Sequence, residues 1–593
     1  MARRLTQRWT YRNPTTSRDS SLEWLRTVVP LMARSVRPLL FIVPFSMLVL
    51  SIVVRLGFVP LDEGFITSQS LRLLRGEVPH AAFVSPRPVF SGVLHIVDVL
   101  LPTPLFLTSR VIAAMQVVTY TVALAGVCLR LPLARWTPVW TLAVSAAVFV
   151  NIGLFPLMAW HTIDGLMLSA LGFVIVGRPR SVGWLAAGLV LLGAAAMTKQ
   201  SFAPALLIGL WLAVRSDVFN RTLTHWGLPR RVAFVFAAGM AIPVAYLLWV
   251  SLAGGLSDAF DQLTGGSAPV GQSLVNVMRA DSWSIGFVAG CIGLRIISMD
   301  RIRLLSTTPV VAVAARWITT AIVVTLAAQA MIASDSLPAT MLFWLALAAA
   351  LLPSTAGRFD VDGLLTVLLG WMASLSWGAA SPALVAGSLS LLLLHRTWRD
   401  RNATLPVNGR VFSSLAFVVL ILFAGGFVLN RRASPYFDRP VSELGTHLGS
   451  VDPALWGIWT NSTTGEYVVQ IRECIDARPA GRVAVLPDNV GLYSAFDLEN
   501  PFPVDWAYSK ELVADARDRM LKRAAELSIE GDFLVLFQTT STFGLSTISL
   551  PASVSSNDPA WFWDDSGLME DIRVSLGGER FSCGSFVGNY APG

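Results

Sequence analysis

The chain has 593 residues, of which 54% are hydrophobic and only 14% are charged, and its mean hydropathy is +0.60. Soluble proteins carry about 25% charged residues, so a single soluble core is excluded, and many separate apolar segments of about 20 residues are indicated. The net charge of +7 does not indicate nucleic-acid binding, because the Arg residues cluster in short stretches between apolar segments, as in the cytoplasmic loops of membrane proteins.

The first predicted element is an Arg-rich tail at residues 1–37, which indicates a cytoplasmic N-terminus and a signal anchor. Residues 38–430 predict a polytopic α-helical domain of about 13 transmembrane helices in the plasma (inner) membrane. Short Arg-rich loops alternate with loops that are mostly longer and poorer in Arg, which places the loop at 58–104 and the C-terminus outside. The short fifth–sixth and eleventh–twelfth pairs are alternatively re-entrant. The predicted spans lie at about 38–57, 107–128, 138–158, 163–177, 183–198, 201–214, 232–254, 283–297, 313–333, 338–354, 363–378, 381–395 and 411–429.

The composition changes at residues 431–593, where apolar stretches become short and acidic residues appear regularly. Residues 481–489 predict a strand and a turn, residues 509–527 predict a helix, and residues 532–540 predict a second buried strand. This alternation predicts an extracytoplasmic α/β or α+β domain.

The four cysteines fall into two groups. Cys128 and Cys291 lie within apolar segments, where cysteine usually packs as a small apolar side chain. Cys474 and Cys583 lie in the C-terminal part, and a disulfide between them is allowed if that part is extracytoplasmic. Their spacing does not suggest a metal site.

The loop at 58–104 contains Asp62 and Glu63 just after the first predicted span, and carboxylates so close to a membrane are functional candidates. The alternative is a solvated acidic turn. The next segment, 65–75, is amphipathic and predicts an interfacial helix with Arg72 and Arg75 facing lipid headgroups.

Three further candidates lie at predicted outer junctions between spans. His161 and Asp164 lie between the third and fourth spans, where an Asp alternatively only complements the helix dipole and a His only caps or anchors the helix. Lys199 lies between the fifth and sixth spans and is the only lysine before the C-terminal part. A lone Lys there runs against the positive-inside trend, so we expect it to have an anionic partner, and an ammonium group suits a phosphate. The alternative is a Lys that reaches toward the membrane surface.

Weaker candidates also fall on the predicted outer face. Ser376 belongs to a small polar turn that would let a ligand approach the backbone, or else is simply part of a tight helix hairpin. Arg55 and Arg87 would neutralise a phosphate or anchor a headgroup. The predicted topology brings all these groups to one face, where a carboxylate could deprotonate an acceptor hydroxyl and a cation could stabilise a lipid-phosphate leaving group.

This arrangement resembles the GT-C superfamily of polyprenyl-phosphate-sugar glycosyltransferases, in particular its aminoarabinose transferase and protein O-mannosyltransferase branch. The resemblance covers roughly residues 38–430. It is carried, in order, by Asp62-Glu63, the LLRGEVPHAAF stretch at 73–83, SR at 109–110, the Asp164 turn and TKQS at 198–201.

The resemblance implies an inverting displacement with Asp62 as the base and Glu63 as the less favoured choice. Lys199, Arg55 and Arg87 would bind the donor phosphate, and no cofactor or metal is expected because the donor is a monophosphate. The partners would be a lipid-linked sugar donor, membrane lipids and a glycan, lipid or protein acceptor, with no nucleic acid. The remaining substrate-binding candidates are His80, His161, Asp164, Gln200 and Ser376.

Two departures from the branch bear on these assignments. His80 occupies a position where an aromatic residue is usual, and PRPVF at 86–90 replaces the usual Pro-Pro. The Asp-x-Asp pair at Asp360 and Asp362 lies in a predicted inner loop, on the wrong side for this chemistry. In related enzymes such a C-terminal domain often binds the acceptor, and five tryptophans are available here to stack on sugars or to fill the core: Trp456, Trp459, Trp506, Trp561 and Trp563.

Two other classes of function remain open at this point. One is a transporter or flippase of a lipid-linked precursor, which predicts inverted repeats and charges near mid-membrane. The other is a non-catalytic envelope-assembly or receptor protein built on the same scaffold.

Overall fold

The structure of the protein is a computed structural model. It describes residues 36–265, 342–351, 360–375, 383–400, 425–426, 435 and 437–593, with short gaps at 49, 52, 103, 154–156, 345, 348–349, 552 and 563–565. The predicted spans at 283–297 and 313–333 lie outside these residues, as do Ser376 and Trp563.

The first part of the described chain is helical. Its helices are α1 (Val36–Leu48), α2 (Phe65–Leu74), α3 (Phe90–Leu94), α4 (Ile96–Leu100), α5 (Leu105–Leu129), α6 (Pro138–Gly153), α7 (His161–Gly177), α8 (Val182–Ala196), α9 (Ala203–Arg215), α10 (Leu228–Leu252), α11 (Leu256–Gly265), α12 (Val361–Ser374) and α13 (Ala386–Asp400). Neighbouring pairs such as α5 and α7, α7 and α8, and α8 and α10 pack against one another.

Membrane character is visible in the lengths of these helices. Of the residues that the structure describes, α5 and α10 form helices long and apolar enough to cross a membrane. A third crossing is possible if Gln200–Arg215 and Val218–His225, which meet at 46°, form one bent span. Other apolar helices of 10–17 residues are shorter than the roughly 20 residues that a span needs. Most of them coincide with predicted spans, but Phe90–Leu100 lies in the loop at 58–104, where no span is predicted. The chain therefore has membrane-length helices, and the count of 13 remains a prediction.

The last part of the chain forms the C-terminal sheet region, residues 437–593. A four-stranded sheet has the order β3 (Arg482–Leu486), β4 (Phe533–Gln538), β6 (Phe586–Ala591), β5 (Glu579–Cys583). Strands β3 and β4 are parallel, with Arg482 paired to Phe533, and the other pairings are antiparallel. All six residues of β4 are buried, as expected for a central strand. Both predicted strands are confirmed.

Shorter elements complete this region. A small antiparallel pair joins β1 (Thr446–His447) to β2 (Trp459–Thr460). The helices are α14 (Ser462–Ala477), α15 (Val490–Ala495), α16 (Ala516–Glu530) and α17 (Leu568–Leu576). The predicted helix at 509–527 is present but begins later, at Ala516. A disulfide joins Cys474 of α14 to Cys583 of β5.

Helix α2 forms where the amphipathic segment predicts it, but the expected interfacial position of its Arg72 is wrong. Arg72 is 5% exposed, and its Nε donates to Asp505 Oδ1 at 2.9 Å. Its two other nitrogens donate to Glu77 Oε2 and to the Phe502 carbonyl, each at 2.6 Å. Helix α2 is therefore covered by the C-terminal sheet region, and its polar face meets protein rather than headgroups.

Candidate functional site

Two glycines bring the chain around Asp62 into contact with the C-terminal sheet region. Gly64 has a left-handed backbone (φ +96°), and a Cβ there would lie 2.4 Å from Gly491 Cα. A Cβ on Gly491 would lie 2.2 Å from the Glu63 carbonyl oxygen. The Gly491 N–H also donates to the Pro60 carbonyl at 3.1 Å. Only glycine allows such an approach, which places the start of α15 directly against the acidic turn.

Glu63 is held in an ion pair. Arg110 of α5 donates through Nη2 to Glu63 Oε2 at 2.6 Å and through Nε to Oε1. The same guanidinium donates to the carbonyls of Val54 and Gly57, each at 2.6 Å. A carboxylate engaged by both its oxygens is poorly placed to take up a proton, so Glu63 serves to fix the turn. The structure thus distinguishes the two adjacent acidic residues that the sequence offers as bases: Glu63 is bound to Arg110, and Asp62 remains the candidate.

Asp62 lies within electrostatic reach of a second carboxylate that sequence reasoning missed. Asp488 follows β3 and is completely buried, and the charge of Asp62 acts on it. Burial, assisted by Asp62, raises the pKa of Asp488 to about 7, although hydrogen bonds from Trp506, Gln538 and Thr542 oppose the shift. An apolar strand followed by a turn containing Pro-Asp-Asn is a signal that could have found it, because ligands often bind at the carboxyl ends of parallel strands.

Aromatic side chains continue from this carboxyl pair. The Trp506 ring packs on Phe65 with centroids 5.7 Å apart, and on Tyr508 at 5.6 Å in a stacked arrangement. Phe65 in turn lies 6.2 Å from Trp160, whose ring is 4.5 Å from that of His161. The C-terminal sheet region, α2 and the start of α7 therefore meet in one continuous aromatic band.

A buried cationic site lies at the other end of the band. Lys199 is 5% exposed, and its Nζ contacts Thr162 Oγ1 at 3.5 Å. Within the described ranges no carboxylate pairs with it, so the expected anionic partner stays a prediction. Burial, together with the charge of Arg87, lowers the pKa of the Lys199 ammonium well below its usual range.

His161 completes this site. It is 2% exposed, and neither ring nitrogen has a hydrogen-bond partner among the described residues. The charges of Lys199 and Arg87 both act on its ring. A buried cation without a counter-ion and two unsatisfied ring nitrogens are costly unless a ligand completes them, and an anion fits both.

Arg87 lies near this site but is itself paired. Its Nη2 donates to Glu511 Oε1 at 2.6 Å and its Nη1 to Glu511 Oε2 at 2.9 Å. Glu511 belongs to the C-terminal sheet region and is 3% exposed. Arg87 therefore links the 58–104 segment to the sheet region. It acts on the cationic site through the electrostatic effect of its positive charge.

Asp164 belongs to a separate buried network. It accepts hydrogen bonds from Gln116 Nε2 at 2.7 Å and shares one with His95 Nε2 at 3.1 Å, while His95 Nδ1 meets Asp98 at 2.8 Å. Burial lowers the pKa of His95, but the two carboxylates outweigh burial and raise it to about 10. His95 is then an imidazolium between two aspartates, so Asp164 holds α4, α5 and α7 together.

The remaining predicted site residues have separate hydrogen-bond partners. His80 is buried between Gln262, at 2.8 Å, and the Tyr246 hydroxyl, at 2.7 Å. Gln200 is exposed and donates to the Pro86 carbonyl at 2.7 Å. Arg55 is exposed, and its carbonyl accepts from the Trp459 N–H at 2.8 Å.

The structure also gives the contacts or exposure of other side chains that the sequence singled out. Asp360 and Asp362 both pair with Arg130, at 2.5 and 2.7 Å. Trp456 and Trp459 are exposed, at 51% and 39%, whereas Trp506 is buried in the band. In the part of the chain that the structure describes, no group of three or more His, Cys, Asp or Glu side chains is arranged to hold a metal ion.

The fold and the site define a helical protein with membrane-length apolar helices and a buried polar site, which is closed by a C-terminal sheet region. Comparison with known proteins adds no family to this description. No protein-family model matches the chain, and no curated protein matches it with significance.

Proposed function

We propose that the protein is a membrane glycosyltransferase that moves a sugar from a polyprenyl-phosphate donor to an extracytoplasmic acceptor. The proposal includes the predicted topology of about 13 spans, with the N-terminus cytoplasmic and the site on the outer face. The observation that carries it is the buried Lys199 and His161 site, in which no carboxylate among the described residues pairs with Lys199 and which is joined by an aromatic band to Asp62. This pattern supports a substrate with a phosphate, a ring and a hydroxyl to be deprotonated.

The phosphate would occupy the cationic site. A phosphate diester oxygen beside Lys199 would provide the missing counter-ion, and others would accept hydrogen bonds from the ammonium and from a protonated His161. Binding would also favour the charged form of Lys199, because an adjacent anion offsets the effect of burial. The positive charge of Arg87 would also attract the anion to this site.

The sugar would lie along the aromatic band, where the faces of Phe65, Trp160 and Trp506 offer apolar surface for ring C–H groups. Asp62 would take the proton of the acceptor hydroxyl. As the acceptor oxygen forms its bond to the anomeric carbon, the bond from that carbon to the phosphate oxygen breaks. The polyprenyl phosphate leaves with the electron pair, stabilised by Lys199.

A small crevice near the turn, with a volume of about 30 Å³, has room for only about two methyl groups of the lipid chain. Its walls come from the end of the first predicted span and from the chain between α6 and α7, and it opens beside the Glu63–Arg110 pair. The apolar residues that line it include Val54, Phe58, Ile152, Leu157 and Met158. A polyprenyl tail would bury only such a small part of its chain there.

The test uses the purified full-length protein with labelled polyprenyl-phosphate sugars that carry mannose, arabinose or an amino sugar. We expect Asp62→Asn to lower the transfer rate by about 100-fold or more, because the base is lost, while donor binding persists. Asp497→Asn is the matched control, since this carboxylate is 81% exposed and lies on the sheet region.

Three outcomes would count against the proposal. Unchanged transfer by Asp62→Asn would remove Asp62 as the base. Absence of transfer by the wild-type protein across the donor panel would contradict the glycosyltransferase. Donor that is carried across vesicles without cleavage would instead support a transporter of the lipid-linked precursor.

A further inference from the structure

Asp488 occupies a defined place at the edge of the four-stranded sheet. It comes two residues after the end of β3, and Gln538 is the last residue of the parallel neighbour β4. Side chains at the carboxyl ends of adjacent parallel strands converge, and this edge is the usual ligand side of such sheets. Here the edge faces the turn that carries Asp62.

The contacts of Asp488 are all with neutral groups. Gln538 Nε2 donates to its Oδ2 at 3.3 Å, and Thr542 Oγ1 does so at 3.5 Å. Gln538 is itself oriented by Asn489, whose Nδ2 donates to Gln538 Oε1 at 2.7 Å. Among the described residues Asp488 has no ion pair, whereas Asp505 and Glu511 of the same region are paired to Arg72 and Arg87.

Two titratable groups face Asp488. One is Asp62, from the turn between the first predicted span and α2, and the other is Tyr467 of α14. Burial raises the pKa of Tyr467, so its phenol is neutral and adds no charge. Among the described residues, the charged group that acts on Asp488 is therefore the Asp62 carboxylate.

We propose that Asp62 and Asp488 form a carboxyl pair with a single proton, which Asp488 holds so that Asp62 stays ionised as the base. Two carboxylates in one buried site do not both ionise readily, and unequal surroundings decide which one keeps the proton. The inference rests on the proposed function. Asp488 acts through Asp62 and is a positioning residue.

The proton balance of the reaction follows. Before transfer the pair holds one proton, on Asp488. Asp62 takes the acceptor proton as the new glycosidic bond forms and the bond to the phosphate breaks, so the pair then holds two. One proton must leave to solvent before the next turnover, and the pair returns to its starting state.

The first test needs no substrate and follows the protonated-carboxyl band in the infrared as a function of pH. Because Asp488 titrates near pH 7, wild-type protein should show a carboxyl group with that midpoint. The band should be absent in Asp488→Asn. In Asp62→Asn its midpoint should move to lower pH, since the neighbouring negative charge is gone. A band that is unchanged in Asp488→Asn, or a midpoint that Asp62→Asn does not shift, would overturn the inference.

The second test is the pH dependence of kcat/KM. Above pH 7 an ionised Asp488 adds a second negative charge beside Asp62 and opposes the anionic donor, so kcat/KM should fall by up to about tenfold per pH unit, mostly through KM. Asp488→Asn mimics the protonated side chain and should remove this decline, while Asp497→Asn should retain it. A decline that persists in Asp488→Asn belongs to Lys199 and would overturn the inference.

The two tests separate the inference from the function that it deepens. Wild-type protein that transfers no sugar while its Asp488 band titrates near pH 7 removes the proposed function and leaves the carboxyl pair in place. Active wild-type protein without that band removes the pair and leaves the glycosyltransferase.

Discussion

Two sets of buried charged side chains lie at and beside the junction between the 58–104 segment and the C-terminal sheet region, and they differ in their partners. Arg72 and Arg87 each cross the junction to a buried carboxylate, at distances of 2.6 to 2.9 Å. Lys199 and Asp488 are just as buried but form no ion pair within the described part of the chain. The first set is complete without a ligand, and the second set is not.

This difference assigns the two sets to different tasks. A buried ion pair satisfied on every side holds two surfaces in register, and removing one partner leaves an uncompensated charge. A buried charge without a partner lowers stability, and it persists in a protein where function requires it. We therefore expect substitutions in the first set to weaken the junction and substitutions in the second set to strengthen the fold, and we expect the loss of Lys199 also to abolish donor binding.

The largest effect is expected for Arg72→Met. The substitution leaves Asp505 and Glu77 without their cation, which should cost about 3–5 kcal/mol and separate the sheet region from α2. Thermal melting in detergent and protease accessibility of residues 437–593 would measure it. Arg75→Met on the same helix is the control. Its partner Asp497 is exposed, so its loss should cost less than about 1 kcal/mol. Equal losses of stability in the two variants would contradict the idea that the buried ion pair of Arg72 holds the junction together.

Asp488→Asn is expected to raise the stability of the fold, by less than Arg72→Met lowers it. The pKa of Asp488 is about 7 in the folded protein against 3.8 for an unperturbed side chain, so the folded state binds more protons than the unfolded state between these values. Wild-type stability is therefore lost as the pH rises from about 4 to 7, by at most about 4 kcal/mol. Asp488→Asn lacks this loss. Its melting temperature should exceed that of wild type increasingly toward pH 7 and by a constant amount above it. A constant difference at all pH values would contradict the assignment.

The smallest effect on stability is expected for Lys199→Met, which replaces a buried ammonium without a counter-ion by an apolar chain of similar length. Removing the desolvated charge should stabilise the protein by about 1–3 kcal/mol while donor binding is lost. Melting and binding of the labelled donor, measured on the same preparation, check both effects. Lys522→Met, at an exposed position on α16, should change neither. Destabilisation by Lys199→Met would mean that this ammonium already has a partner.

Local sequence patterns predicted the helices and strands but not the side chains that these elements contact. Hydrophobic runs correctly predicted β3, β4 and α2, because periodicity reports which face of an element is buried. The same pattern misplaced Arg72, since nothing local distinguishes a guanidinium in headgroups from one bound to Asp505, 433 positions later. For a similar reason the local pattern alone did not distinguish Asp62 from Glu63, and only the resemblance favoured Asp62, because the partner of Glu63 is Arg110 on α5.

The candidate site was predictable where the chemistry was unusual. Lys199 stood out because it is a lone lysine among arginines, and the structure buries it beside His161. Asp488 was missed because an Asp after a strand is common in turns, and its significance comes from Asp62 facing it across the junction. Asp164 was selected for its position, yet its partner His95 lies on a helix that apolar periodicity did not reveal.

Because Arg72 and Asp505 are 433 positions apart, their contact can form only late in synthesis. At about 5–20 residues per second, a ribosome needs roughly 20 to 90 seconds to pass from one residue to the other. Throughout that interval Arg72 and the hydroxyls of Thr67 and Ser68, which later bond to Ser494 and to the Val490 carbonyl, have none of these partners. The stretch of the candidate site that is made first is thus the last to be completed, because its partners lie in the final quarter of the chain.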